Sequence, residues 1–489
     1  MGEAILVIDE GTTSTRAMVF ARDGRLLSLA QEELTQHYPR PGWVEHDAGE
    51  IWQRTLACTR RAMSEAGGAD RIAAIGITNQ RETVVAWDCA TGEPLARALV
   101  WQDRRTAELC DELKSRGHER AVQRQTGLLL DPYFSATKMR WLIDNEAAVR
   151  AAAERRTLAL GTIESWLVWN LTGGAFVSDA SNASRTLLLP LESAQFDPGL
   201  CDLFGVPLGA LAEVVDTHGA IVETGAALFG RAIPICGLAG DQQAATVGQA
   251  CLSPGETKAT YGTGAFVLTN MGSDIPHSAN RLLGTVLMQQ DGARTYALEG
   301  SVFVAGSLVK YLRDTLGMIS SAAETAALAR SIPNSGGVVI VPALSGLGAP
   351  HWNAGARGVI AGLSFASGRA QIARAALEAM AHQTHDLCAA FAADGAPWQA
   401  LRIDGGMSPN DWTVQDLADM LQLPGESPDL VEPTALGAAM LAAVGCAMHL
   451  SLAEAALAMR GPVRQFAPAM EDEVRQQRLA AWRRALSAV

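Results

Sequence analysis

The sequence predicts an α/β protein of two large domains with a ligand cleft between them, and three observations carry that expectation. At 489 residues the chain exceeds what one hydrophobic core organises. Strand-like runs at 73–77, 83–87, 232–238, 337–341 and 401–403 alternate with helical runs at 48–66 and 369–391, which is the rhythm of α/β architecture. One local design also occurs twice: VIDEGTTSTRA (7–17) and ATYGTGAFVLTN (259–270) each set a polar, glycine-containing turn between two apolar arms. One such hairpin per half implies similar domains facing each other, with both turns approaching one ligand from opposite sides. The boundary is placed near Gly248, giving domains 1–248 and 249–489.

Each element has a local reason. In the first turn, Gly11 lets backbone come close to a ligand, Thr12, Thr13 and Ser14 offer hydroxyls and exposed N–H groups, and Arg16 adds positive charge, a set suited to phosphate oxygens. An ordinary polar hairpin uses the same residue types, so that alternative stays open. Asp47 with Glu50 three residues on predicts a capping box for the first long helix. ICGLAGDQQAATVGQA (235–250) ends a strand at Gly240 and puts Asp241 at the start of a helix. There it is either a cap or, at the interdomain crevice, a carboxylate able to take the proton of an attacking hydroxyl. LRIDGGMSPNDW (401–412) reads as a strand, a Gly405–Gly406 break and a helix starting near Asn410. Such a break admits a flat ring and an amide for a ribose or base edge, or is simply a tight turn with a cap. The end of the chain, 471–488, reads as an Arg-rich surface helix.

Composition narrows the function classes. Hydrophobic residues at 48% and charged residues at 19% describe a folded globular chain, and a net charge of −13 opposes nucleic acid or an anionic membrane as partner. Eight scattered cysteines without a CxxC pair predict buried free thiols in a reducing compartment. The apolar run 4–8 is too short for a signal-peptide core, and the uncharged stretch 331–356 carries three prolines, so it reads as strand and loops. A cytoplasmic enzyme without membrane insertion is expected. No Gly-Lys dipeptide, HRD or DFG occurs, and no GxGxxG follows a strand, so a nucleotide would have to bind through the paired hairpins. His382 and His385 lie three apart on a helical run with no third ligand nearby and are assigned a structural or surface role.

YFSATKMRWLIDN (133–145) resembles a signature of the FGGY family of carbohydrate and polyol kinases. TNQRET (78–83), WQDRRT (101–106), GTIESWLVWNLTGG (161–174), NASRT (182–186), GDQQAA (240–245), YGTGAF (261–266), SGLGAPHW (345–352) and EPTALGAA (432–439) are similar to its glycerol-phosphorylating branch, in order from about residue 5 to about 445. The resemblance implies two actin-like (ribonuclease H-like) domains closing over ATP and glycerol, in a homo-oligomer, dimer or tetramer. It implies that Arg81, Glu82, Tyr133, Asp241 and Gln242 hold the triol, that Trp101 and Phe266 flank its carbon chain, and that Asp241 is the general base. Thr12, Thr13, Ser14, Arg16 and Thr263 would bind phosphates, Gly306, Gly406 and Asn410 the adenosine side, and Asp9 would hold Mg²⁺.

A guanidinium beside a carboxylate serves adjacent hydroxyls with opposite polarity. Neighbours in a regular strand point to opposite faces, so Arg81 and Glu82 share a ligand only where the strand breaks. Three departures stand out. Glu10 replaces a frequent Gln and is expected to add negative charge beside the phosphates. Lys310 replaces a frequent Gln and either reaches a phosphate or points into solvent. Residues 225–235 lack the Gly-Gly-Thr-Arg loop that binds fructose 1,6-bisphosphate in regulated relatives, so that feedback site is not expected, although Arg231 lies one place from the corresponding arginine. The alternatives are a kinase of a related polyol or ketose, such as erythritol or xylulose, and a non-catalytic, ATP-gated actin-like binding module.

Overall fold

The apolar arm at the N-terminus forms the strand Ala4–Glu10, buried along its whole length. A continuous apolar run suits a strand covered on both faces. The computed structural model describes residues 2–353, 355–429 and 432–489. Ala4–Glu10 pairs antiparallel with Ser14–Ala21, which pairs in turn with Leu26–Glu33. On its other side Ile72–Asn79 runs parallel, and Pro234–Gly240 and His218–Glu223 complete a six-stranded sheet.

The second half repeats this plan. Thr257–Tyr261 and Ala265–Gly272 form the hairpin, extended on one side by Ala293–Val302 and Leu283–Gln290. On the other side Leu401–Asp404 lies parallel to the first hairpin strand, followed by Gly425–Pro428 and Val463–Phe466. Both tight turns, 11–13 and 262–264, therefore leave the end of the first hairpin strand of their sheet, next to a parallel neighbour.

The helix Pro433–Gly445 fastens the halves together. It is apolar all round, as a helix covered on every side must be. Although it follows the second sheet's strands in sequence, it packs on the first sheet and on the helix Asp241–Gly248. Small residues permit the approach: a Cβ on Gly437 would lie 1.8 Å from the Ala244 carbonyl oxygen, and one on Gly248 1.9 Å from that of Pro433. The cluster around it joins Ile5, Val7 and Phe20 of the first sheet to Leu268 and Leu287 of the second. The halves thus share apolar core rather than a wet seam.

Some local expectations are corrected. Asp47 does cap the helix Ala48–Glu65 by accepting from the Glu50 N–H, at 3.0 Å. The Glu50 carboxylate goes instead to Arg54 and Thr35, so the box is one-sided. The last helix, Asp472–Leu486, is only partly a surface helix: Leu479, Trp482 and Ala485 are buried. The Trp482 indole donates to Asp386 at 2.8 Å and stacks on His382. Burial pushes His382 down to about 3, leaving a neutral packing residue, and among the described residues no group of three His, Cys, Asp or Glu could hold a metal ion. All eight cysteines are free, but Cys89 is exposed and Cys388 and Cys446 are only partly buried. Among the described residues no helix is long and apolar enough to cross a membrane.

Candidate active site

The two turns are built alike. The Gly11 N–H donates to the Ser14 carbonyl (3.0 Å), and the Gly262 N–H to that of Gly264 (2.9 Å). The second turn is docked against the next element: Gly306 N–H reaches the Gly262 carbonyl at 2.9 Å, and Ala305 and Ser307 N–H reach that of Thr263. A Cβ on Gly306 would lie 2.5 Å from the Gly262 oxygen, so only glycine lets the short helix Gly306–Lys310 start there. Gly405, at φ +89°, packs against the Tyr261 backbone, while around Gly406 a Cβ would meet nothing within 4 Å. Asn410 is the cap of the helix Asp411–Leu421, its side-chain oxygen accepting from Trp412 and Thr413 N–H. Thr263, Gly306 and Gly406 thus share one end of the second sheet, and Asn410 stands beside them as a cap. Lys310 is exposed at the far end of its helix, the solvent-facing alternative.

Arg16 is not the free cation the sequence led us to expect. It pairs with Asp9 at 2.7 Å and with Glu432 at 2.6 Å. Burial raises the Asp9 carboxyl and Arg16 draws it partly back. Glu10 alternates to the opposite face of the strand, where its carboxyl accepts from Thr55 Oγ1 at 2.9 Å. Burial pushes it up to about 8, so Glu10 is neutral at pH 7 and adds no negative charge beside the turn. Arg231 donates to the carbonyls of Ala69 and Ile72 and is occupied within its own domain.

Just beyond Ile72–Asn79 the strand breaks. Glu82 has φ +60°, a conformation uncommon for a residue with a side chain, and this restores Arg81 and Glu82 to one side, with Nε and Oε1 3.9 Å apart. Arg81 is buried. It donates to Glu299 at 2.6 and 3.2 Å, to Tyr133 Oη at 3.3 Å and to Gln243 at 3.4 Å, and its Nε lies 3.3 Å from Asp241. Arg185 donates to Glu82 at 2.6 Å and to Glu299 at 3.0 Å.

The cap of the helix Asp241–Gly248 is Gly240, so Asp241 is the first helical residue rather than its cap. A third of the Asp241 side chain remains exposed. Burial raises its carboxyl, with Arg81 and Lys258 partly offsetting that push, so it is displaced toward the range of a general base. Gln242 accepts from Lys258 Nζ, which also donates to Thr260 at 2.9 Å. Trp101 donates to Thr12 Oγ1 at 2.9 Å and stands edge-on to Tyr133 and Phe266, with centroids 5.6 and 6.3 Å away. One indole therefore links the first phosphate-type turn to the aromatic wall on both halves.

The residues the sequence reading missed are Arg185, Gln243, Lys258, Glu299 and Glu432. Arg185, Gln243 and Glu432 lie inside quoted motifs, and Glu299 carried its own signal, a lone carboxylate in the apolar strand YALEGSV.

Residues 4–248 match the N-terminal domain of the FGGY family of carbohydrate kinases, and residues 257–446 match its C-terminal domain. The chain belongs to the FGGY family. A protein named glycerol kinase from Rhodospirillum centenum is 52% identical over 491 residues, covering 99% of this chain and 98% of that one. Another so named, from Methylobacterium nodulans, is 51% identical over 492 residues with the same coverage. The crystal structure of Plasmodium falciparum glycerol kinase with ADP superposes with a TM-score of 0.94 at 34% identity, covering 99% of this chain and 98% of that one. The two-domain, actin-like α/β fold of FGGY kinases is therefore the fold of this chain, and the twin hairpins are its repeated core.

Proposed function

We propose that this FGGY kinase transfers the terminal phosphate of ATP to a primary hydroxyl of glycerol, giving sn-glycerol 3-phosphate and ADP. One observation carries the reading: Arg81 and Glu82, turned to the same side by a strained backbone, converge with Asp241 beside the aromatic group of Trp101, Tyr133 and Phe266. Half or more of the chain is identical to proteins named glycerol kinase along its full length, which supports the same substrate here.

Glycerol is neutral and offers three hydroxyls that both donate and accept. Arg81 donates to one oxygen, Glu82 accepts from a neighbouring one, and the amide of Gln242, held by Lys258, adds a further contact. Trp101 and Phe266 cover the carbon chain. Asp241 accepts the proton as the hydroxyl oxygen bonds to the terminal phosphorus and the bond to ADP breaks. The remaining task is positioning and charge stabilisation, for which Thr12, Thr13 and Ser14 on one turn and Thr263 on the other supply hydroxyls and N–H groups. Gly406 is exposed and a Cβ there would meet nothing within 4 Å, which leaves room for the adenosine beside Gly306 and Asn410. A magnesium ion bound with the nucleotide would supply charge neutralisation, and Asp9, a buried carboxylate shared with Arg16, would hold it through water. Domain closure that expels water protects the nucleotide from hydrolysis. We place the enzyme in the cytoplasm as a dimer or tetramer, with residues 1–248 and 249–489 as the closing bodies.

The test is ADP release with ATP and magnesium across a panel of polyols and ketoses. Glycerol should give the highest kcat/KM, and faster turnover of erythritol or xylulose would refute the substrate assignment. A non-catalytic ATP-gated module would show nucleotide-dependent compaction in X-ray scattering but no glycerol-dependent ADP release.

A further inference from the structure

Behind Arg81 and Glu82 stands a closed ring of alternating charge. Arg81 pairs with Glu299, Glu299 with Arg185, Arg185 with Glu82, and Glu82 returns to Arg81 at 3.9 Å. The side-chain exposures of the four are 2%, 0%, 0% and 1%, so the ring is closed to bulk water and its charges are met by one another. Three of them belong to the first half of the chain. Glu299 alone comes from the second sheet, in the strand Ala293–Val302.

Arg81 has five N–H bonds, and four of them are hydrogen bonded to protein. Two make the bidentate pair with Glu299 (2.6 and 3.2 Å), two reach Tyr133 (3.3 Å) and Gln243 (3.4 Å), and Nε lies 3.3 Å from Asp241 as an ion pair. Hydrogen bonds at the long end of the range are weak, and a ligand hydroxyl can replace them at little cost. The short contact to Glu299 is the one that fixes the guanidinium plane and leaves the opposite edge toward substrate and base. Burial alone would push the Glu299 carboxyl up, but Arg185 and Arg81 hold it down to about 2, so it stays ionised.

We propose that Glu299 is a positioning residue for glycerol: from the second domain it anchors Arg81 and Arg185, and so presents Arg81 and Glu82 to the substrate. This rests on the reading that Arg81 holds glycerol. Its consequence is that the glycerol subsite is assembled across the domain boundary. Without Glu299, two buried guanidiniums would have only Glu82 and Asp241 as carboxylate partners. Arg81 would then be drawn onto the base, and Glu82 would turn fully to Arg185.

Glu299→Gln, Glu299→Asp and Arg81→Gln separate the possibilities, each checked for folding by circular dichroism and assayed for both substrates. Glu299→Gln should raise the KM for glycerol by about tenfold or more while the KM for ATP stays within about twofold. Glu299→Asp keeps the charge on a shorter stem and should fall between it and the parent. If Glu299→Gln does not fold, Glu299→Asp decides, with a glycerol KM raised about threefold or more as the supporting result. An unchanged glycerol KM in a folded Glu299 variant, or equal shifts in both KM values, overturns the proposal. If Arg81→Gln itself leaves the glycerol KM unchanged, the fault lies in the substrate reading. If Arg81→Gln raises it and the Glu299 variants do not, the fault lies in this inference alone.

Discussion

Asp241→Asn is the substitution on which the proposed chemistry can be judged. It keeps the size of the side chain and one acceptor oxygen, and it removes the charge and the basicity. A positioned general base contributes about 10²–10⁴ in rate, which is about 2.7–5.5 kcal/mol of barrier. The binding cost is smaller. Asp241 lies 3.3 Å from Arg81 Nε with a third of its side chain exposed. Coulomb's law at that distance gives about 5 kcal/mol at an effective dielectric of 20 and about 1.3 in water. Exposure places the pair toward the lower figure, so the glycerol KM should rise less than about tenfold. Steady-state ADP release and calorimetric glycerol titration measure the two effects separately. A kcat within about tenfold of the parent would refute the assignment, since that leaves under about 1.4 kcal/mol for the base. The pH profile gives a second check. Burial raises the Asp241 carboxyl above the ordinary aspartate value, and a base works only when ionised, so kcat/KM should fall as pH drops through that raised value. The Asn variant should lose this acid limb.

Other expectations follow from neighbouring groups. Glu10 is raised from 4.5 to about 8, so the folded state holds a proton the unfolded state has released, and stability falls as pH climbs from about 4.5 to about 8. Glu10→Gln removes that slope, and urea unfolding should show the variant gaining on the parent by up to a few kcal/mol between pH 5 and pH 8; parallel curves would contradict it. Trp482→Ala empties a buried site and breaks the bond to Asp386, and should cost about 3–5 kcal/mol in denaturant unfolding with kinetic constants at 25 °C nearly unchanged. Lys258→Met keeps the buried volume but frees the Gln242 amide, and should raise the glycerol KM about three- to tenfold with ATP kinetics unaffected. Magnesium chelation should abolish turnover while calorimetry still detects glycerol binding.

How much of this was legible in the sequence depended on whether the determinant was local. The twin hairpins are local: Ile5 to Ile8 and Met18 to Phe20 are apolar arms around a polar turn, and the structure pairs them in register, Ile5 with Phe20 and Ile8 with Ala17. The strand break at Arg81 and Glu82 was also readable, because period two forbids two neighbours from sharing a ligand in an unbroken strand. The rest depended on long-range pairing. Arg16 and Glu432 are 416 residues apart, and Arg81 and Glu299 are 218. Asp9, opposite Arg16 across the same hairpin, is a local partner, but nothing near Arg16 announces Glu432. The neutral state of Glu10 was hidden for the same reason, since it follows chiefly from burial, which the hydrogen bonds from Thr15 and Thr55 only partly offset.

The charge inventory of the cleft argues for the kind of molecule it admits. Arg81 and Arg185 pair with Glu82, Glu299 and Asp241, and Lys258, bonded to Gln242 and Thr260, lies in the field of the buried Asp404 and of Asp241, so three cationic groups stand among four carboxylates. Lys258 is lowered to about 8 by burial and remains mostly protonated at pH 7. An uncharged polyol leaves that balance intact. A sugar acid would add a further negative charge where both guanidiniums are already paired, at the uncompensated cost of burying a charge.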